Sequence, residues 1–167
     1  GLSGKDGNLF VAEKMQVESG ADLGFVGDVV EVNPGVLETL VAGGYIPVIC
    51  SVAVGRHGET YNINADHVAG HLAARLGAEK LVLLTDVRGI LADVQNPASL
   101  LSRISAEQAR ALIAEGKVDR GMIPKVEACL FALEGGVPRA HILDGRIPHS
   151  LLTELFTDSG VGTMVSG

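Results

Sequence analysis

Alternation of apolar and polar residues marks the first third of the chain. Residues 9–15 (LFVAEKM) alternate with the period of a half-buried strand after the turn signal KDGN at 5–8, and 24–33 (GFVGDVVEVN) supplies a further strand or pair of strands. NPGVLETLVAGG at 33–44 carries helix punctuation, with Asn33 as N-cap, Pro34 at the first helical position and Gly43 past the end. The rhythm then shifts to strand, helix, strand. YIPVICSVAV (45–54) predicts a buried strand, GRHG (55–58) a turn, and ETYNIN (59–64) a short returning strand. A helix over 66–76 sets Val68, Leu72 and Leu76 on one face and stops at Gly77. KLVLLTDV (80–87) is a near-continuous apolar strand of the kind buried in parallel sheets.

The remainder continues the alternation. NPAS (96–99) is a loop, SAEQARALIAEG (105–116) a helix opened by a Ser105/Gln108 capping box, and another helix starts near Pro124 and stops at Gly135 and Gly136. RAHILD (139–144) predicts a strand, PHSLLTELF (148–156) a helix and GTMVS (162–166) a closing strand. This succession predicts a three-layer α/β/α fold with a mostly parallel sheet.

Composition narrows the partners. The 167 residues are 47% hydrophobic with net charge −7, mean hydropathy is +0.32 and the pI is near 5.1. Material for a core is ample, and with no dense Lys/Arg cluster neither nucleic acid nor an anionic membrane is expected as partner. No apolar run approaches the roughly 20 residues that span a bilayer. Cys50 and Cys129 each sit in an apolar run and are expected to be reduced core thiols.

Ligands of parallel α/β sheets collect beyond the carboxyl ends of strands, and two such ends are polar here. One carries Asn62, Asn64 and Asp66; the other carries Thr85 and Asp86. Period-two spacing puts both asparagines on one strand face, where their amides suit a polar ligand. Asn64 is equally placed to cap the following helix, and Asp66 to complement its dipole, which leaves Asn62 unexplained. In DRGMIPKVEA (119–128), Lys125 falls near a helix N-terminus, where a cation opposes the dipole unless an anion binds beside it; a solvated surface lysine is the plainer reading. His67 and His71 have the i, i+4 spacing of a zinc helix but lack its glutamate and a third ligand, so no metal site is expected.

In order, GFVG, GYIPVI, YNINAD, LVLLTDVRGIL, GMIPKV and DGRIPHSLLTELFTDSGVGTM resemble the acetylglutamate kinases of the amino acid kinase family, most of all the arginine-inhibited forms of cyanobacteria, algae and plants. The resemblance implies an amino acid kinase fold and ATP-dependent phosphorylation of N-acetyl-L-glutamate, the second step of arginine biosynthesis. It assigns Asn62 and Asn64 to the acetylglutamate, Asp66 to orienting catalytic lysines, and Lys125 to the transferring phosphoryl group. Thr85, Asp86, Val87, Gly89, Ile90, Asp119 and Met122 would line the nucleotide site, with magnesium arriving on ATP. His141, Glu154 and Gly160 match the arginine pocket of the inhibited forms.

The family's Gly-rich KxGG segment, which supplies a second catalytic lysine, is absent from these residues, as are the turn and arginine that bind acetylglutamate. The expected organisation is therefore the end of an acetylglutamate-binding domain (1–65) followed by a nucleotide-binding domain (66–167), inactive alone. The resemblance further implies a dimer or hexamer, a possible PII-type signalling partner, and residence in a bacterial cytoplasm or a plastid stroma. A sister kinase acting on aspartate, glutamate, carbamate or UMP is an alternative reading. Another is a non-catalytic module binding arginine or a PII-type protein.

Overall fold

In a computed structural model, which describes residues 1–17, 20–96, 98–157 and 160–167, the first alternating segments become β1 (Phe10–Lys14) and β2 (Gly27–Val32), an antiparallel pair with an irregularity between Val11 and Ala12. α1 (Gly35–Ala42), β3 (Val52–Gly55), β4 (Thr60–Asn62) and α2 (Ala65–Leu76) follow. The strands form a sheet in the order β2-β1-β3-β4, parallel only between β1 and β3. Leu9, Phe10, Leu37, Tyr61, Ile63 and Val68 are the centre of its core. Of the α2 face expected to be apolar, Val68 and Leu72 are buried, while Leu76 at the helix end is 41% exposed.

Three expectations for this segment are corrected. Asn33 does not cap α1: its side-chain amide donates to Asn8 O (3.0 Å) and Glu31 Oε1 (3.1 Å), and Pro34 takes the N-cap position without a side-chain bond. The apolar run 45–54 is a strand only from Val52. Before it, a single parallel bridge joins Leu2 to Ile49, and Tyr45, Ile46 and Val48 are 67%, 91% and 69% exposed. Without a neighbouring strand an apolar run has no ladder to join, and Cys50 is accordingly exposed whereas Cys129 is buried.

The second half contains β5 (Leu81–Thr85), β6 (Arg103–Ser105), α3 (Ala106–Ala114), α4 (Ile123–Glu134), β7 (Arg139–Asp144), α5 (Ser150–Phe156) and β8 (Thr163–Ser166). Their sheet runs β5-β7-β8-β6, with β5 and β7 parallel, β6 and β8 parallel, and β7 and β8 antiparallel. The α/β fold is thus built on two four-stranded mixed sheets, with parallel and antiparallel pairings in equal number among the described residues. β7 is buried from Ala140 to Asp144 and packs against α4 and α5, so that even its polar His141 and Asp144 are enclosed. The capping box forms as spaced: Gln108 N donates to Ser105 Oγ (3.1 Å) and Ser105 N to Gln108 Oε1 (2.8 Å). β6, three residues long, is too short to carry a period in the sequence. Pro97 of the 96–99 loop and residues 158–159 of the last family segment lie outside the described residues.

The chain divides into two units, Gly1–Leu76, which ends with α2, and Gly77–Gly167.

Candidate functional site

β5 ends at Thr85, and the segment after it forms one wall of a cavity of about 790 Å³ in the second unit. Thr85, Asp86, Val87, Gly89 and Ile90 line it from this side; Asp119, Met122 and Lys125 line it from the turn and first helical turn of α4. Every residue that the resemblance assigns to the nucleotide is therefore gathered around one space together with Lys125.

The α4 side is held locally. Asp119 accepts Gly121 N at Oδ1 (2.9 Å) and Met122 N at its carbonyl (2.9 Å), which aims the 119–122 turn into the helix. α4 has Pro124 in its first turn, no acidic residue there, and no side-chain cap, leaving a positive helix end beside half-buried Lys125. Lys117 also lines the cavity and pairs with Glu115 at 2.6 Å. An opening with two lysines, a helix N-terminus and an apolar floor of Ile90, Leu91, Val94 and Met122 suits an anionic group attached to a flat apolar one.

A second polar pair fixes the strand ends behind this wall. Arg146 donates from Nε to Asp144 Oδ1 (2.9 Å) and from Nη2 to Asp144 Oδ2 (2.8 Å), and its backbone N–H adds a third bond to Oδ1 (2.9 Å). These bonds hold the Asp144 carboxyl well below its ordinary value, at about 2. Between them, Gly145 N donates to Thr85 O (2.8 Å), tying the β7 end to the β5 end.

In the first unit, burial alternates through Tyr61, Asn62, Ile63 and Asn64, so both asparagine side chains face outward although the strand stops at Asn62. Asn64 is the N-cap of α2: its Oδ1 accepts Asp66 N (2.8 Å) and His67 N (3.3 Å). Asp66 is half-buried in the first turn. A separate cavity of about 430 Å³ in this unit is lined by Asn8, Glu31, Asn33 and Arg56 and not by these three residues. On α2, burial and the neighbouring His67 push His71 down, opposed by Asp28.

A third cluster joins β7 and α5. His141 Nδ1 lies 2.8 Å from Glu154 Oε1, with side chains 6% and 5% exposed. Glu154 Oε2 accepts Val161 N (2.7 Å), and a Cβ added to Gly160 would lie 2.6 Å from that same oxygen, so Gly160 makes room for the carboxylate. His141 Nε2 is buried with no hydrogen-bond partner among the described residues.

The profile of the amino acid kinase family matches residues 1–144. The chain belongs to the amino acid kinase family. Acetylglutamate kinase from Pelotomaculum thermopropionicum is 58% identical over 99% of this chain and 59% of its own length. Acetylglutamate kinase from Nostoc sp. is 57% identical over 100% of this chain and 55% of its own length. The chain thus spans little more than half the length of these curated relatives. Among solved structures, N-acetylglutamate synthase from Neisseria gonorrhoeae, complexed with coenzyme A and L-arginine, matches with a TM-score of 0.85 at 31% identity over 98% of this chain and 37% of that chain.

Several parts of this amino acid kinase chain's cavity went unread in the sequence. Leu91, Val94 and Val118 look like ordinary core residues, and Lys117 and Gly121 like loop residues; only topology brings them to the lining. The Asp144–Arg146 fork had a local signal, an acid and a base two residues apart at a strand end.

Proposed function

We infer that the parent protein is an acetylglutamate kinase, transferring the γ-phosphoryl group of ATP to the side-chain carboxylate of N-acetyl-L-glutamate in arginine biosynthesis. The observation that carries this reading is the cavity of about 790 Å³ that gathers Thr85 through Ile90, Asp119, Met122 and Lys125, in a chain 58% identical to an acetylglutamate kinase. The second unit binds the nucleotide, and the first contributes to the acetylglutamate-binding domain through Asn62 and Asn64.

The acceptor carboxylate is ionised at neutral pH, so no general base is required. What remains is to align two anions and reduce their repulsion. Lys125, at the positive end of α4, holds charge that develops on the transferring group, and the helix N–H groups reinforce it. Thr85, Asp86 and Asp119 offer hard oxygen donors that fit magnesium held mainly by phosphate and water. Magnesium, when bound with ATP, neutralises phosphate charge.

His141, Glu154 and Gly160 form the arginine pocket: a buried carboxylate is the natural partner of a guanidinium. The Neisseria synthase structure, complexed with L-arginine, supports this reading. The parent assembles as a dimer or hexamer, is open to a PII-type partner, and works in a bacterial cytoplasm or plastid stroma. The 167 residues alone do not turn over.

Trapping the acyl phosphate with hydroxylamine tests the reaction. The full-length parent should convert acetylglutamate and ATP, and the 167-residue chain should not. Turnover of aspartate, glutamate or carbamate in preference to acetylglutamate would point to a sister kinase instead.

A further inference from the structure

We propose that the Thr163 hydroxyl is a positioning group for the nucleotide cavity, holding the Gly89–Ile90 strap that forms one of its walls. The proposal rests on the nucleotide reading of that cavity.

Thr163 opens β8 and is 0% exposed. Its Oγ1 accepts the Ile90 N–H at 2.9 Å, a buried bond across 73 residues of sequence. The Ile90 carbonyl accepts Leu101 N, also at 2.9 Å. The Ile90 backbone is therefore held on both sides, its carbonyl by backbone and its N–H by a single side-chain oxygen. A buried N–H needs a partner, and here a hydroxyl supplies what a neighbouring strand supplies elsewhere.

Packing at the adjacent residue agrees. Gly89 has φ +143, and a Cβ built there would meet Thr163 Oγ1 at 2.6 Å, Leu100 Cδ1 at 3.0 Å and Thr163 N at 3.1 Å. The strap lies directly on Thr163, with room for no side chain between them. Since Gly89 and Ile90 line the cavity, any shift of the strap off this hydroxyl moves the wall. Thr163 itself does not line it; it acts through Ile90.

Thr163→Val keeps the side-chain shape and removes the hydroxyl that accepts from Ile90 N, and Thr163→Ser keeps that hydroxyl. In the full-length parent, Thr163→Val should weaken ADP in isothermal titration about tenfold, because the released strap must be reordered each time the nucleotide binds. The KM for acetylglutamate should stay within about twofold, and Thr163→Ser should restore ADP affinity. Equal losses for both substrates, a Val variant that binds ADP normally, or a Ser variant that fails to rescue would each overturn the positioning role. If the Val variant does not fold, hydrogen exchange of the wild-type Ile90 amide decides. Protection like that of the β5 amides supports the clamp, and exchange at the rate of an exposed loop rejects it. A wild-type parent that binds no nucleotide would overturn the functional reading and this proposal with it.

Discussion

His141 Nδ1 and Glu154 Oε1 meet at 2.8 Å in a site where both side chains are nearly sealed from solvent. Each Glu154 oxygen has a partner, the second accepting Val161 N, and each keeps a further lone pair. Removing the carboxylate leaves two buried donors or acceptors unmatched, a loss of about 1–3 kcal/mol for each group so stranded. Glu154→Ala in the parent should therefore lower the urea midpoint and abolish any inhibition by L-arginine. Undiminished arginine inhibition in a folded Ala variant would remove Glu154 from the pocket.

The Asp144–Arg146 fork makes stability depend on acid pH with a definite sign. The folded carboxyl titrates at about 2, below its ordinary 3.8. Stabilisation is thus complete above pH 4 and fades as pH falls toward 2. The difference in Tm between wild type and Asp144→Asn should be largest near neutrality and shrink through that window. A difference that stays constant from pH 7 to 2 would show that the charge on Asp144 is not what matters.

Asn62 and Asn64 should separate in mutants. Asn64→Ala removes the α2 cap and should cost about 1 kcal/mol. Asn62 has an outward side chain and leaves stability nearly unchanged, but Asn62→Ala should weaken acetylglutamate far more than ATP. Chemical denaturation and steady-state kinetics on the full-length parent read the two effects separately; equal losses for acetylglutamate and ATP would show Asn62 misassigned.

Lys125→Ala should lower kcat on the order of 10²-fold or more, as removal of a preorganised electrostatic group does, with a much smaller change in acetylglutamate KM. Lys125→Arg, which keeps the charge, should recover part of the rate. A kcat for the Ala variant within a few-fold of wild type would return Lys125 to the status of a surface residue.

Legibility followed period and punctuation. β5, β7, α3 and α4 were readable because an apolar run or a capping signal such as Ser105/Gln108 is written in contiguous residues. The run 45–54 misled because apolar sequence reports a wish for burial, whereas a strand also needs a partner for its backbone. Asn33 misled because its amide found Asn8 and Glu31 within reach, a competition that sequence does not display. Asn64 was legible both as cap and as ligand, and the structure displays the cap. The roles of the cavity residues came from family resemblance; that they surround one space is what the fold added. Thr163 fell in a foreseeable strand and a family segment, but its bond to the strap was not legible because the strap lies 73 residues away.

The reversed direction of β8 has a topological consequence. In an all-parallel sheet only the finishing ends of strands reach the ligand edge, and every starting end lies on the far side. β8 runs against β7, with Thr163 opposite Ile142, so its entry residues arrive at the edge where β7 leaves. The inversion of β8 thereby lets residues 161–163 reach both the Glu154 carboxylate and the Ile90 amide, delivering a backbone donor to one and a side-chain acceptor to the other from three consecutive positions.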